Sequence, residues 1–184
     1  MNIIETGLPG LLLIEPRVFE DERGYFFESY HREKYVQAGI SETFVQDNES
    51  KSGKGVVRGL HYQLGEYAQA KLVRVVQGSV YDVAVDLRSG SPTFGEWFGI
   101  ELSEFNKKQL FIPRGFAHGF SVLSETAVFT YKCDNVYSKE AERSINPYDP
   151  KLQIDWKVKR SEAIVSGKDK QAPMFESAEM NFKF

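Results

Sequence analysis

Two histidines stand where a buried strand would ordinarily carry only apolar side chains. In VVRGLHYQ (residues 56–63), Arg58, His61 and Gln63 interrupt a β-like run, and in FIPRGFAHGF (residues 111–120) His118 sits among aromatics. The chain has only three histidines, so two in such settings mark a site. An imidazole takes up a proton near neutral pH when a partner fixes its tautomer. Asp82 and Asp169 are both candidates for that partner. Lys71 opens the run KLVRVVQ, and a lysine turned inward is costly unless it is paired or used. One use is to steady a developing oxyanion. Tyr131, in TAVFTYKC, can supply a proton. Any one of these residues alone reads as packing with a satisfied hydrogen bond. Arg58, His61, Lys71, His118 and Tyr131 together read as an acid–base site.

Metal and phosphate chemistry are weighed on the same residues. A histidine pair two apart, with a later histidine after Pro-x-Gly, is the pattern of a metal-binding jelly roll. Here Gln63 takes the second place, and His118 follows Pro113 and Gly115. Two imidazoles and an amide suit zinc or iron poorly, so no metal and no other cofactor is expected. Neither GxxxxGK[ST] nor GxGxxG occurs, which leaves phosphate recognition to arginines. Arg23, in DERGYFFE, and Arg58 are the candidates.

The elements that must position these groups are short β-like runs between turn residues. GLLLIEP (10–16), GYFFESY (24–30), TFVQDNES, VVRGLHYQ, KLVRVVQGSVYDVAVDL, EWFGIELS, KKQLFIP, GFSVL and TAVFTYKCDNVY read as strands. HREKYVQAGI (31–40) reads as a helix stopped at Gly39. Gly78 reads as a hairpin turn between KLVRVVQ and SVYDVAVDL. The last forty residues read as irregular, with a helical turn at Ser161–Ser166. Many short strands at this spacing predict an all-β sandwich or barrel with a few short helices. Alternation places Lys71 with Val73 and Val75, Asp82 with Val80 and Ala84, and Tyr131 with Ala127, Phe129 and Cys133. Gln46 shares a face with Asn48, and His61 with Gln63. An ideal strand would point Arg58 and His61 apart, and a bulge at Gly59 would bring them to one side.

With 184 residues, 41% of them hydrophobic and 27% charged, the chain is expected to form one soluble domain over 1–184. A net charge of −3 carries no nucleic-acid footprint. The apolar N-terminal run is broken by Pro9, Gly10 and Glu15 and has no basic leader, so neither a signal peptide nor a membrane span is expected. The single cysteine, Cys133, fits a reducing cytoplasm.

DERGYFFESY, QDNES, VVRGLHYQ, AKLVRVVQGSVYDVAVDLRSGSPTFGEW and FIPRGFAHGF, in that order, resemble the dTDP-4-dehydrorhamnose 3,5-epimerase family from about residue 3 to residue 170. The resemblance implies a cupin-type jelly roll, a metal-independent homodimer, and a dTDP-linked 4-keto-6-deoxy sugar as substrate in the rhamnose pathway. It implies His61 as general base oriented by Asp169, Tyr131 as general acid, and Lys71 at the enolate oxygen. It also implies that Arg23, Glu28, Gln46, Asn48, Arg58, His118, Glu142 and Lys168 line the nucleotide-sugar site, with Tyr137 stacking near the substrate. The sequence departs from the family's pattern in two places. HYQLGEYAQAK lacks the prolines that often follow HYQ, and IDWKVKR has Lys157 where a proline is common.

Overall fold

Two six-stranded sheets face each other, and the side chains that alternate inward from both make the core. The computed structural model describes residues 1–184. The chain begins with β1 (Asn2–Glu5) and β2 (Leu12–Glu15), then forms a small separate ribbon of β3 (Val18–Asp21) and β4 (Gly24–Phe27). Helix α1 (Arg32–Gln37) follows, then β5 (Gln46–Gly53), β6 (Val56–Gln63), β7 (Lys71–Gln77), β8 (Ser79–Asp86) and β9 (Trp97–Ser103). The remaining elements are β10 (Gln109–Ile112), β11 (Phe116–Val122), β12 (Thr126–Cys133), β13 (Glu142–Ser144), β14 (Ile164–Val165) and α2 (Gly167–Lys170). The first sheet runs β1-β2-β10-β7-β12-β5. The second runs β13-β6-β11-β8-β9, with β14 added parallel to β6. This is a jelly roll of the cupin type.

The binary pattern explains the packing. Val73 and Val75 of β7, Val80 and Ala84 of β8, and Ala127 and Phe129 of β12 meet between the sheets. The outer face of the first sheet buries Leu72, Ile14 and Phe111 under Tyr35 and Ile40, from α1 and the turn after it. The outer face of the second sheet buries Val83, Val85 and Val57 under Ile145, Leu152, Trp156 and Phe175. The C-terminal stretch has little regular structure, yet hydrogen bonds fasten it in place. Trp97 Nε1 donates to the Leu152 carbonyl at 2.8 Å, and Trp156 Nε1 to that of Pro147 at 2.7 Å.

Three local expectations are corrected. Gly78 does not turn a hairpin, because β7 pairs with β10 and β12 while β8 pairs with β11 and β9. It is a corner at which the chain crosses between sheets. A side chain there would collide with the Thr126 carbonyl, and its N–H donates to Glu104 Oε1 at 2.7 Å. The helical turn lies at Gly167–Lys170 rather than Ser161–Ser166, because β14 draws residues 164 and 165 onto the sheet and Ser166 caps the turn that follows. The aromatic strand ends at Phe27 instead of Tyr30, since it is half of a two-stranded ribbon whose partner, Val18–Asp21, ends the pairing at Val18.

Candidate active site

The bulge at Gly59 is present and decides which way two functional side chains point. Along β11 the register steps two residues, from His118 to Phe120, while along β6 it steps three, from His61 back to Arg58. The extra residue puts Arg58 and His61 on the same side as His118 and Phe120, which face the interior. Only glycine fits the crossing. A Cβ on Gly59 would come within 2.6 Å of the Gly119 Cα, and one on Gly119 within 2.6 Å of the Arg58 carbonyl oxygen.

His61, 34% exposed, opens onto a cavity of about 280 Å³ between the sheets. Its Nε2 lies 2.7 Å from Oδ1 of the buried Asp169 on α2. Asp169 is held in turn by its own N–H to Ser166 Oγ, at 3.0 Å, and by the Gly59 N–H to Oδ2, at 3.5 Å. Burial pushes the Asp169 pKa up, but the His61 hydrogen bond and charge, with Gly59 and Ser166, outweigh it and leave the carboxyl below its ordinary value. An ionised Asp169 must accept from Nε2–H, which leaves Nδ1 as the ring's acceptor. Of the two aspartates that the sequence offers, Asp169 partners His61, and Asp82 partners His118 at 2.9 Å.

The opposite wall is built by the first sheet. Lys71 and Tyr131 both line the cavity, with the Lys71 ammonium 5.9 Å from the Tyr131 ring centroid. Burial lowers the Lys71 pKa against the pull of Cys133, Asp82 and Glu142. Burial likewise raises the Tyr131 pKa, with Cys133 and Glu142 adding to it and Arg58 opposing, so the phenol keeps its proton. Cys133, opposite Lys71 in the ladder, is a buried thiol whose pKa burial pushes up to about 11.

The rim is a chain of polar contacts. Gln46 Oε1 accepts from the Tyr137 N–H at 3.0 Å, and Gln46 Nε2 donates to Asn48 Oδ1 at 3.1 Å. Glu142 Oε2 accepts from the Tyr137 hydroxyl at 3.1 Å and from Lys168 Nζ at 2.5 Å. Burial opposes ionisation of Glu142, yet these donors win and its pKa is lowered. Arg58 spans toward the other sheet and donates from Nε to Ser52 Oγ at 3.0 Å.

Of the expected lining residues, Arg58 and Lys168 stand beside the cavity without lining it, and three others lie elsewhere in the chain. Arg23, 86% exposed, pairs with Asp21 on the β3–β4 ribbon, and Glu28 pairs with Lys34 at 2.9 Å. Neither borders the His61 cavity. His118 is buried behind that cavity, stacked on Phe129 with centroids 5.9 Å apart. The Gln63 amide is committed to backbone, donating to the Tyr67 and Val136 carbonyls and accepting from the Ser138 N–H. Gln69, two residues before Lys71 and outside the motifs that mark the site in the sequence, also lines the cavity.

A family model described as dTDP-4-dehydrorhamnose 3,5-epimerase matches residues 5–177. The chain belongs to the dTDP-4-dehydrorhamnose 3,5-epimerase family. It is 54% identical over 180 residues to the dTDP-4-dehydrorhamnose 3,5-epimerase of Shigella flexneri, across 97% of this chain and 98% of the relative. The crystal structure of the family member from Elizabethkingia anophelis shares 56% identity and a TM-score of 0.92, covering 96% of this chain and 97% of that one. A dTDP-6-deoxy-D-glucose-3,5-epimerase from Legionella pneumophila, in complex with dTDP-4-keto-L-rhamnose, superposes with a TM-score of 0.95 at 49% identity, covering 100% of this chain and 98% of that one.

Proposed function

We propose that the cavity between the sheets inverts C3 and C5 of dTDP-4-dehydro-6-deoxy-D-glucose, giving dTDP-4-dehydro-L-rhamnose in dTDP-L-rhamnose biosynthesis, with residues 1–184 acting as one epimerase domain. The observation that carries this reading is the placing of His61–Asp169 on one wall and of Tyr131 and Lys71 on the other.

The C4 ketone acidifies the protons on C3 and C5. His61 removes one through Nδ1 while Asp169 steadies the imidazolium. The electrons left on carbon shift toward the C4 oxygen, and Lys71 meets the charge that develops there. Burial makes an unpaired Lys71 ammonium unfavourable, so an oxyanion beside it is favoured in the transition state more than a neutral ketone in the ground state. One such donor is worth on the order of 10²–10³ in rate. Tyr131 then returns a proton to the same carbon from the opposite face, and the centre is inverted. Exchange with water reprotonates Tyr131 and deprotonates His61, so no net oxidation or reduction occurs.

Gln46, Asn48, Tyr137 and Glu142 line a polar mouth suited to the nucleotide, Lys168 joins it through Glu142, and Arg58, which donates to Ser52 across the sheets, would hold the diphosphate. Arg23 and Glu28 can serve the same substrate only from a partner subunit. A homodimer that carries the exposed β3–β4 ribbon, with Phe26 70% exposed, to the neighbouring cavity reconciles their position with that role. The protein is read as cytoplasmic, and no helix is long and apolar enough to cross a membrane.

The test is incubation with the 4-keto sugar nucleotide in D₂O, followed by proton NMR and mass spectrometry. Deuterium and inversion at both carbons are expected. Deuterium at one carbon alone would make the chain a monofunctional epimerase, and none, with folded protein and intact substrate, would leave only a sugar-binding jelly roll. In the same assay Tyr131→Phe is expected to impair inversion more than proton loss, and equal retention of both would remove Tyr131 from the acid role.

A further inference from the structure

Asp82 is a fully buried carboxylate, and one of its two oxygens has no partner. It is fully buried on β8, and Oδ2 is taken by His118 Nε2 at 2.9 Å. Oδ1 is buried too and accepts no hydrogen bond, an arrangement that native proteins rarely tolerate without a reason. The fold supplies one. Asp82 shares the inward face of β8 with Val80 and Ala84, and Lys71 shares the inward face of β7 with Val73 and Val75. Those four apolar side chains belong to a single core cluster between the sheets. Asp82 and Lys71 therefore look into the same interior from opposite sheets; burial pushes the Asp82 pKa up and the Lys71 pKa down, and the attraction between the two charges opposes both shifts. Lys71 has no carboxylate within ion-pair distance, and Asp82 has one oxygen to spare.

We propose that the Asp82–His118 pair is a positioning device for Lys71, in which the unshared Oδ1 supplies the counter-charge that keeps Lys71 an ammonium aimed at the substrate's C4 oxygen. The proposal rests on the enolate reading of the cavity. His118 fixes the carboxylate through Oδ2, and Phe129, stacked on His118, fixes the imidazole. The other titratable groups around this interior are His61 on β6, Tyr131 and Cys133 on β12, and Glu142 on β13. Of these only Glu142 is ionised as an anion, and Lys168 and Tyr137 already occupy it. Asp82 is then the carboxylate left to Lys71.

The experiment is a double-mutant cycle in the epimerisation assay with Asp82→Asn, Lys71→Gln and the pair, wild type in parallel. Asp82→Asn alone is expected to lower kcat roughly tenfold or more with KM little changed. It should also move the alkaline limb of the kcat profile down by about one to three pH units, the effect of removing a facing charge. In the Lys71→Gln background the same change should cost almost nothing. Equal losses in both backgrounds, or an unmoved alkaline limb, would overturn the proposal. An inactive wild type would instead overturn the epimerase reading. If Asp82→Asn does not fold, NMR titration of His118 in Lys71→Gln decides. Its pKa should rise above the wild-type value, because a cation sharing Asp82 has gone, and an unchanged value would refute the coupling.

Discussion

His61 and His118 face each other across the β6–β11 ladder, and each is hydrogen-bonded to an aspartate. They have the same residue types and nearly the same separation, 2.7 Å in one pair and 2.9 Å in the other. What differs is the element that supplies the carboxylate and how far water reaches. Asp169 comes from a short capped turn outside the sheets and leaves His61 lining the cavity. Asp82 comes from the neighbouring strand and draws His118 into the core. Burial lowers the His118 pKa, Asp82 opposing it and Lys71 and His61 adding to it, and burial raises the Asp82 pKa despite His118 and Lys71. Asp169, by contrast, stays below its ordinary value. A histidine–aspartate pair in a jelly roll is thus no catalytic signature by itself. Exposure separates the two: His61 opens onto the cavity and His118 does not.

The contrast can be broken from either side. The largest effect is expected from His61→Ala, which should abolish deuterium exchange at C3 and C5, a loss on the order of 10²–10⁴ in rate, with the fold intact by circular dichroism. Near-normal exchange would sink the base assignment. Asp169→Asn should follow closely in rate, because the amide no longer compels the Nε2–H tautomer. It also carries a stability signature. A carboxylate with a lowered folded pKa contributes stability that is present above the unfolded value, about 4, and is lost as the pH falls through the folded value. The stability gap between wild type and variant in urea should therefore hold at neutral pH and shrink in acid. A gap independent of pH would contradict it.

The buried pair should answer in stability as well as in rate. Asp82→Ala leaves His118 Nε2 buried without a partner, which costs about 1–3 kcal/mol by denaturant unfolding. No change there would mean that the pair is looser than its geometry. The smallest effect on stability belongs to Arg23→Ala, which should leave the unfolding midpoint unmoved, because both members of its ion pair are exposed. Its readout is KM. A rise in KM with stability unchanged supports a ribbon serving the partner's cavity, and an unchanged KM removes Arg23 from the substrate.

Much of this site was legible because alternation along a strand is a strict rule. The inward sets of KLVRVVQ, SVYDVAVDL and TAVFTYKC followed from it, and so did the need for a bulge at Gly59 to turn Arg58 and His61 the same way. What alternation does not carry is which strands become neighbours. Gly78 looked like a hairpin because a glycine between two strand-like runs reads as a tight turn, whereas here the strands enter different sheets. The choice between Asp82 and Asp169 was beyond local pattern for the same reason, since Asp169 reaches His61 from 108 residues away along the chain. His118 was assigned to the substrate site by the family resemblance, and its burial against Phe129 depends on packing that the motif does not encode. Lys157, where the family often has proline, lies on the surface with its ammonium on Asp155, far from the chemistry in role as well as in sequence.

Gly59 and Gly119 cross so closely that neither can gain a methyl group without moving the other's main chain, which cannot swing aside as a side chain could. In a saturation library both positions would score as intolerant as His61, although neither has a side chain to offer a substrate. A screen that equates intolerance with contact would misread them. For redesign the lesson is a boundary: the mouth can be recut at Gln46, Gln69 or Tyr137, whereas the crossing has to be inherited whole.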